Sequence, residues 1–192
     1  MHPVGRLQDG IGMPWRAGGI TRDAAQEVPR IEGASLYGGT PADGAVIEAI
    51  AAIRAGGQEV MFYPFVLMEQ GPGNALPDPY SDQQTQAVLP WRGRITLSVA
   101  PGRPGSPDRS AAAATEVAAF FGTATADQVV VENGEVRHLG VTDWGYRRFI
   151  LHYARLCQMA GGVDTFCIGS ELRGVAQILE MGTLTRLDCA LG

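Results

Sequence analysis

The sequence predicts an α/β fold with a parallel sheet, because the same unit of helix, glycine joint and strand occurs twice. Helices are predicted over residues 41–55 and 143–160, and each ends at a Gly-Gly pair. Each helix is followed by a short apolar run, residues 60–67 and 163–168, rich in β-branched and aromatic side chains. Such runs are typical of strands buried on both faces. Two units of this kind indicate parallel strands in one sheet, with the helices packed on it.

The first helix has clear boundary signals. Thr40 is a predicted N-cap, Pro41 suits the first helical position and Asp43 brings negative charge to the first turn. Gly56-Gly57 is expected to end the helix. The predicted core face consists of aliphatic residues at helical spacing: Val46, Ile47, Ile50 and Ile53.

The second helix has the strongest pattern in the chain. Thr142 or Asp143 is its predicted N-cap, and Gly161-Gly162 is expected to end it. Its apolar residues recur at steps of three and four, which predicts one buried face. That face consists of Tyr146, Phe149, Ile150, Tyr153, Ala154, Cys157 and Ala160.

The segment between the two units has a different character. Residues 68–106 show no convincing helix or strand, and loops beyond about 12–15 residues in compact domains are usually functional or disordered. Fixed prolines and aromatics favour an ordered loop, either functional or a structural wrap over the end of the fold. Ser106-Pro107-Asp108 is predicted to cap an Ala-rich helix that stops at Gly122. Asn133-Gly134 is predicted to turn a β-hairpin.

Composition excludes several classes of protein. With 45% hydrophobic and 18% charged residues, the chain is globular rather than disordered. A net charge of −5 argues against nucleic acid as the main partner. Cys157, Cys167 and Cys189 include no CxxC pair and are expected to be reduced, two of them within apolar runs. The scattered histidines argue against a metal site, and no cofactor is implied. No apolar run is long enough to span a bilayer, and the N-terminus lacks the apolar core of a signal peptide.

Polar residues follow the second predicted strand. Ser170, Glu171 and Arg173 come after Gly169. Barrels of alternating strands and helices place catalytic groups at this end of a strand, so a (β/α) barrel is the predicted architecture and Glu171 a candidate catalytic residue. A complete barrel needs about 250 residues, so only part of one is expected. From spacing alone, a glutamate that caps the next helix or pairs with Arg173 is the default interpretation.

Several motifs, in order along the chain, resemble one known family. They are Tyr37-Gly38-Gly39-Thr40-Pro41-Ala42-Asp43, Phe62-Tyr63-Pro64-Phe65-Val66-Leu67-Met68, Leu76-Pro77-Asp78-Pro79-Tyr80, Pro90-Trp91-Arg92-Gly93-Arg94-Ile95 and Phe166-Cys167-Ile168-Gly169-Ser170-Glu171-Leu172-Arg173-Gly174. Together they resemble the glycoside-hydrolase TIM-barrel-like domain of the large tail-hub or baseplate protein of gene transfer agents and related phages. The resemblance covers about residues 15–175. It implies a partial (β/α)8 TIM-barrel-like domain with parallel strands and a long inserted loop.

The resemblance divides the chain into three segments. Residues 1–34 form a poorly readable N-terminal segment, 35–174 the partial barrel and 175–192 a divergent tail. From Val175 onward the sequence departs from the family pattern, as expected of a truncated or frameshifted reading frame or of a split gene.

The resemblance also implies site residues. Glu171 matches the position of the acid/base carboxylate at the end of the fourth strand in related glycoside hydrolases. Hydrolysis usually needs a second carboxylate. The loop acids available to supply it are Asp78, Asp82 and Asp143. The expected substrate-binding residues are Asp78, Tyr80, Trp91, Arg92, Trp144 and Arg173. Either tryptophan can stack on sugar rings, although packing in the core or a loop is an equal alternative.

Three functions follow as hypotheses. The resemblance favours a phage or gene-transfer-agent tail or baseplate component whose barrel is glycan-binding or vestigial. The alternatives are an active glycoside hydrolase of host cell-envelope polysaccharide and a cellular sugar-binding α/β module. The expected partners are host cell-envelope glycan and other tail proteins, in a virion assembled in the bacterial cytoplasm. An unfinished parallel sheet leaves edges open, so a homo-oligomer or assembly component is expected.

Overall fold

The structure is a computed structural model. It describes residues 30–31, 34–35, 43–66, 68, 73–88, 90–140 and 145–179. Strands β1 (Arg30–Ile31) and β2 (Ala34–Ser35) pair antiparallel near the beginning of this part. The predicted N-cap Thr40 and the predicted first helical residue Pro41 lie outside the described residues.

Helix α1 spans Asp43–Ala55, and its buried face is the predicted one. Val46 and Ile50 are buried, whereas Ile53 near the end of the helix is 39% exposed. Gly56 and Gly57 follow, and Gly57 has the left-handed backbone (φ 74°) that a side chain would disfavour. The predicted end of the helix is therefore confirmed.

Helix α3 (Tyr146–Met159) is the helix of the second unit. It follows helix α2 (Ala111–Phe121) in the chain. Its N-cap is Gly145, so the prediction of Thr142 or Asp143 as cap is wrong, and those two residues lie outside the described part. A Cβ on Gly145 would lie 2.4 Å from the carbonyl oxygen of Phe121. The helix therefore begins at a point where the chain lies close to the end of α2.

The two strands that follow these helices are parallel, as predicted. Strand β3 (Met61–Phe62) pairs with β6 (Thr165–Phe166), with Met61 opposite Thr165 and Phe62 opposite Phe166. The carboxylate of Asp164 fixes the start of the pair by accepting from the backbone N–H of Val60 at 2.8 Å. The Phe62 and Phe166 rings stack with their centroids 6.0 Å apart. The structure thus shows an α/β arrangement with parallel strands in one sheet.

The prediction that both strands are buried on both faces is wrong. In the second predicted run, residues 163–168, no residue is fully buried. In the first run, burial alternates. Val60 and Val66 are buried, but Met61, Tyr63 and Phe65 are 68%, 46% and 51% exposed. The buried side packs on the helices, since the Phe62 ring lies 5.5 Å from that of Tyr153 in α3. Burial alternates because side chains on a strand point to opposite faces and the helices cover one of them.

Helix α2 spans Ala111–Phe121 and ends at Gly122, as predicted, but it begins later than predicted. Its N-cap is Ser110, whose hydroxyl accepts from the N–H of Ala112 at 3.2 Å. Arg109 has a left-handed backbone (φ 63°), so the helix cannot extend back to Ser106-Pro107-Asp108. Asp108 instead accepts a hydrogen bond from the backbone N–H of Leu179 at 2.8 Å.

The β-hairpin forms where it was predicted. Strands β4 (Val129–Glu132) and β5 (Glu135–His138) pair antiparallel. Asn133 and Gly134 both have positive φ, 54° and 78°, as a two-residue hairpin turn of this type requires. The hairpin is attached to α3 through Arg155, whose Nη2 donates to the Val129 carbonyl oxygen at 2.7 Å.

The long loop has a fixed path through its described residues. Apart from a short 3-10 turn at Arg92–Arg94 and a single bridge residue at Met68, these contain no helix or strand. Ile95, Thr96 and Leu97 are fully buried. The carboxylate of Glu116 in α2 accepts from the Ser98 N–H at 2.6 Å and from its hydroxyl at 2.7 Å. The loop is therefore part of the core at residues 95–97.

The remaining predictions concern the cysteines and the C-terminal part. Cys157 is buried and Cys167 half-buried, both as free thiols, and burial raises the pKa of Cys157 to about 11. Cys189 lies outside the described residues. Helix α4 is short and spans Arg173–Ala176. No helix in the described part is long and apolar enough to cross a membrane.

Candidate functional site

The carboxyl ends of β3 and β6 lie at the same edge of the sheet, because the strands are parallel. Phe65 follows β3 and Glu171 follows β6 at this edge. Arg92, from the long loop, links them. Its guanidinium lies 4.4 Å from the centre of the Phe65 ring, and its Nη2 lies 2.5 Å from Oε2 of Glu171.

Trp91 completes this cluster. Its indole Nε1 donates to the same oxygen of Glu171 at 3.0 Å, and the side chain is 48% exposed. The ring lies over Gly93, where a Cβ would come within 2.5 Å of the ring atoms. Only glycine leaves room for the indole at this position. Trp91, Arg92 and Glu171, which sequence analysis placed on one site, are thus in direct contact.

Glu171 has an unusual backbone as well as an unusual position. Its φ is 52°, in the left-handed region that side chains rarely adopt. Such a residue costs about 1–3 kcal/mol and persists where the surroundings hold it, often at functional sites. Here the Arg92 ion pair and the Trp91 hydrogen bond hold the side chain. The default interpretation, that Glu171 caps the next helix or pairs with Arg173, is wrong. The N-cap of α4 is Leu172, and the ion pair of Glu171 is with Arg92.

A second cluster surrounds Tyr80. The carboxylate of Asp78 accepts from Nη2 of Arg94 at 2.7 and 2.8 Å, and also from the Tyr80 N–H and the Ser81 hydroxyl. The Arg94 guanidinium lies 4.6 Å from the centre of the Tyr80 ring. Burial raises the pKa of Tyr80, an effect opposed by a hydrogen bond with Thr96 and by the charge of Arg94. Asp78, expected to bind substrate, is thus well supplied with donors from its own loop.

Gly174 joins the two clusters. A Cβ at this position would lie 2.3 Å from the Ile95 carbonyl oxygen, 2.7 Å from the Tyr80 hydroxyl and 3.0 Å from the Gly93 carbonyl oxygen. Arg173, next to it, is exposed, and its charge also lowers the pKa of Tyr80. Five predicted site residues therefore lie in these two clusters, and Arg173 lies beside Gly174, which is close to both. The five are Asp78, Tyr80, Trp91, Arg92 and Glu171. Trp144 lies outside the described residues.

Sequence reasoning missed three contributors to this edge. Phe65 was assigned to a buried strand, and Arg94 and Gly174 appeared only within family motifs and were given no role. Arg94 offered a signal, since it follows Arg92 at a spacing of two in a loop with several acids. The other two depend on contacts between distant segments of the chain.

The described carboxylates of the site all form ion pairs. A glycosidase uses two carboxyl groups about 5–9.5 Å apart, one of which gives a proton to the leaving group. Glu171 is ion-paired, and the candidate partners Asp78 and Asp82 pair with Arg94 and Arg103. Asp143, the third candidate, lies outside the described residues. Glu171 and Trp91 remain accessible to a ligand, since the Glu171 side chain is 49% exposed.

One segment of the chain, which includes Glu171, matches a known protein family. Residues 144–185 match the GTA TIM-barrel-like domain. The resemblance to that domain is therefore confirmed for this segment, which includes α3, β6, Glu171 and α4. The match also includes residues 175–185, which sequence analysis placed in a divergent tail. No curated protein and no solved structure shows significant similarity to the chain.

The family match agrees with the parallel arrangement of the two strands. A TIM-barrel-like domain has parallel strands with their functional groups at the carboxyl ends, and β3 and β6 have this arrangement. The match associates the chain with gene transfer agents. The described residues show two parallel strands of such a sheet and not a closed barrel.

Proposed function

We propose that this chain is a tail or baseplate component of a gene transfer agent or related phage, and that it binds glycans of the host cell envelope. The binding surface is the cluster of Trp91, Arg92 and Glu171, with Phe65 beside it. The observation that carries this proposal is a half-exposed indole held beside a carboxylate and a guanidinium, at the edge where barrel-like folds place their sites.

The chemistry of the cluster matches that of a sugar. A pyranose ring presents a flat apolar face of C–H groups, which packs on an exposed aromatic ring, and a rim of hydroxyls that donate and accept hydrogen bonds. Trp91 offers the apolar face. Glu171 accepts hydrogen bonds and Arg92 donates them, and bonds with charged groups are the stronger kind. The hydrogen bond from Trp91 to Glu171 fixes the indole in place before a ligand arrives, which lowers the entropy lost on binding.

Binding is proposed in preference to turnover because Glu171 forms an ion pair with Arg92. Glu171 and the described loop carboxylates with which it would act are already engaged in ion pairs with arginines. A glycan-binding or vestigial site needs no second carboxylate. Association with the particle is supported by the match to the GTA TIM-barrel-like domain.

The test of glycan binding is calorimetric titration of the chain with three ligands. These are amidase-stripped peptidoglycan strands, capsular oligosaccharides and neutral chitooligosaccharides. Trp91→Ala is expected to weaken binding at least about tenfold, since burying an aromatic face contributes about 1.5–3 kcal/mol. Leu139→Ala is the matched control, because Leu139 is a 61% exposed apolar residue next to the hairpin. Absence of binding to all three ligands, or equal loss in both variants, would contradict the proposal.

The test of particle association is separate. Mass spectrometry of purified particles from the source cells should detect peptides of this chain in stoichiometric amount with other tail proteins. Its absence from intact particles would refute a tail role without bearing on glycan binding.

A further inference from the structure

The charge at the candidate site differs in sign from the charge of the whole chain. The chain carries a net charge of −5. Around Trp91 and Tyr80, however, three arginines stand against two carboxylates: Arg92, Arg94 and Arg173 against Asp78 and Glu171. These five residues therefore leave one positive charge uncompensated.

Arg94 is not the source of this excess. Its Nη2 donates to both oxygens of Asp78, at 2.7 and 2.8 Å. Its guanidinium also covers the Tyr80 ring. An additional anion would have to displace Asp78, which accepts two more hydrogen bonds from its own loop.

Arg173, rather than Arg92, retains binding capacity. Arg92 pairs with Glu171 and is only 16% exposed, and its Nε, which has no hydrogen-bond acceptor in the described part of the chain, is buried. Arg173 is exposed and has no ion pair or hydrogen bond with any described residue.

We infer that the ligand of this site is a glycan that carries carboxylate groups, such as one built from uronic or muramic acids. The inference rests on the glycan binding proposed above and specifies its ligand class. The sugar ring lies on Trp91, and its carboxylate pairs with Arg173. A neutral sugar would occupy the same indole but leave Arg173 without a counter-charge.

A nucleic acid would also supply negative charge, but the site favours a glycan. Phosphate-backbone binding needs clustered cations along a surface, whereas here two of the three arginines are already paired with carboxylates. A single carboxylate beside a sugar ring needs only the one uncompensated arginine.

The experiment compares one glycan in two charge states. Amidase-stripped peptidoglycan strands, whose muramic acids carry free carboxylates, are titrated beside the same strands converted to neutral methylamides. The free acid is expected to bind about tenfold more tightly, as one charge-assisted contact implies. Arg173→Gln should remove this preference, whereas Arg173→Lys should keep part of it.

Two controls separate a charge effect at the site from a general one. Arg137→Gln, in β5, removes an arginine that pairs with Glu132 and Glu135, and it should leave both affinities unchanged. A single-stranded DNA oligomer of equal charge should bind at least about tenfold more weakly than the free acid, as the weak cation clustering implies.

Each contrary outcome has a definite meaning. If the methylamide strands bind as well as the free acid, and Trp91→Ala still abolishes binding, the ligand class is wrong and the glycan-binding proposal stands. Binding of neutral chitooligosaccharides alone has the same meaning. If DNA binds as tightly as the free acid, charge alone explains the affinity and the inference is overturned. If no glycan binds, both proposals fail.

Discussion

The contact of Gly174 with the long loop allows a sharp test of how the site is held together. The Cβ of an alanine at position 174 would lie 2.3 Å from the Ile95 carbonyl oxygen and 3.0 Å from that of Gly93. Ordinary contact begins at 3.4 Å, so the loop backbone and α4 would have to separate by about 1.1 Å at the closer contact. Neither carbonyl belongs to a flexible side chain, and Ile95 is buried. The strain therefore cannot be relieved by a change of rotamer.

Overpacking of this kind typically costs about 1–3 kcal/mol, and two backbone contacts favour the upper part of that range. For a chain of this size, each kcal/mol lowers the melting temperature by about 2–4 °C. A loss of about 2–3 kcal/mol then corresponds to a fall of about 4–12 °C for Gly174→Ala. Separation of α4 from the loop also displaces Glu171 from Trp91 and Arg92, so glycan affinity should fall together with stability.

The assay is differential scanning calorimetry of wild type, Gly174→Ala and a control, Gly44→Ala. Gly44 lies in α1, and a Cβ there would meet nothing within 4 Å. The same substitution should therefore leave stability unchanged or raise it by up to about 1 kcal/mol. A Gly174→Ala protein that melts at or above the wild-type temperature, beside a well-behaved control, would refute the argument that this close approach requires glycine.

Three further predictions follow from other parts of the structure. Ser110→Ala removes the hydrogen bond from the Ala112 N–H and should cost about 1 kcal/mol in urea unfolding; an unchanged midpoint would show that the cap is unimportant. Because burial raises the pKa of Cys157 from 9.0 to about 11, the protonated thiol stabilises the fold fully below pH 9.0. That contribution is lost as the pH rises towards 11, so the urea midpoint should fall over this window and fall less in Cys157→Ala. The chain alone should hydrolyse no glycoside, since one general acid contributes about 10²–10⁴-fold where enzymes supply at least about 10⁶-fold; turnover of peptidoglycan or capsular oligosaccharides that disappears in Glu171→Gln would refute this.

Much of the local structure was predictable because its causes are local. Asn133-Gly134 turns the hairpin as predicted, since the required positive φ depends on these two residues. The Gly-Gly pairs end α1 and α3 for the same reason. The apolar stripe on α3 predicted its buried face, and the succession of helix and strand predicted that β3 and β6 are parallel.

Errors arose where a local signal competed with a contact from elsewhere. Ser106-Pro107-Asp108 has the composition of a cap, but Asp108 bonds Leu179 and Arg109 takes a left-handed backbone, so the helix begins after Ser110. The run at residues 60–67 has the composition of a strand buried on both sides. Helices cover only one side of it, so Tyr63 and Phe65 are exposed.

The sequence by itself determined that Glu171 follows a strand of a parallel sheet, and its motifs pointed to the family that residues 144–185 match. Only the tertiary structure decided which groups Glu171 contacts. Composition and spacing favoured Arg173, two residues away, yet the ion pair is with Arg92 and the hydrogen bond with Trp91. Periodicity and turn chemistry act over a few residues, whereas this pairing depends on how the long loop packs against Gly174, a contact between segments distant in the chain.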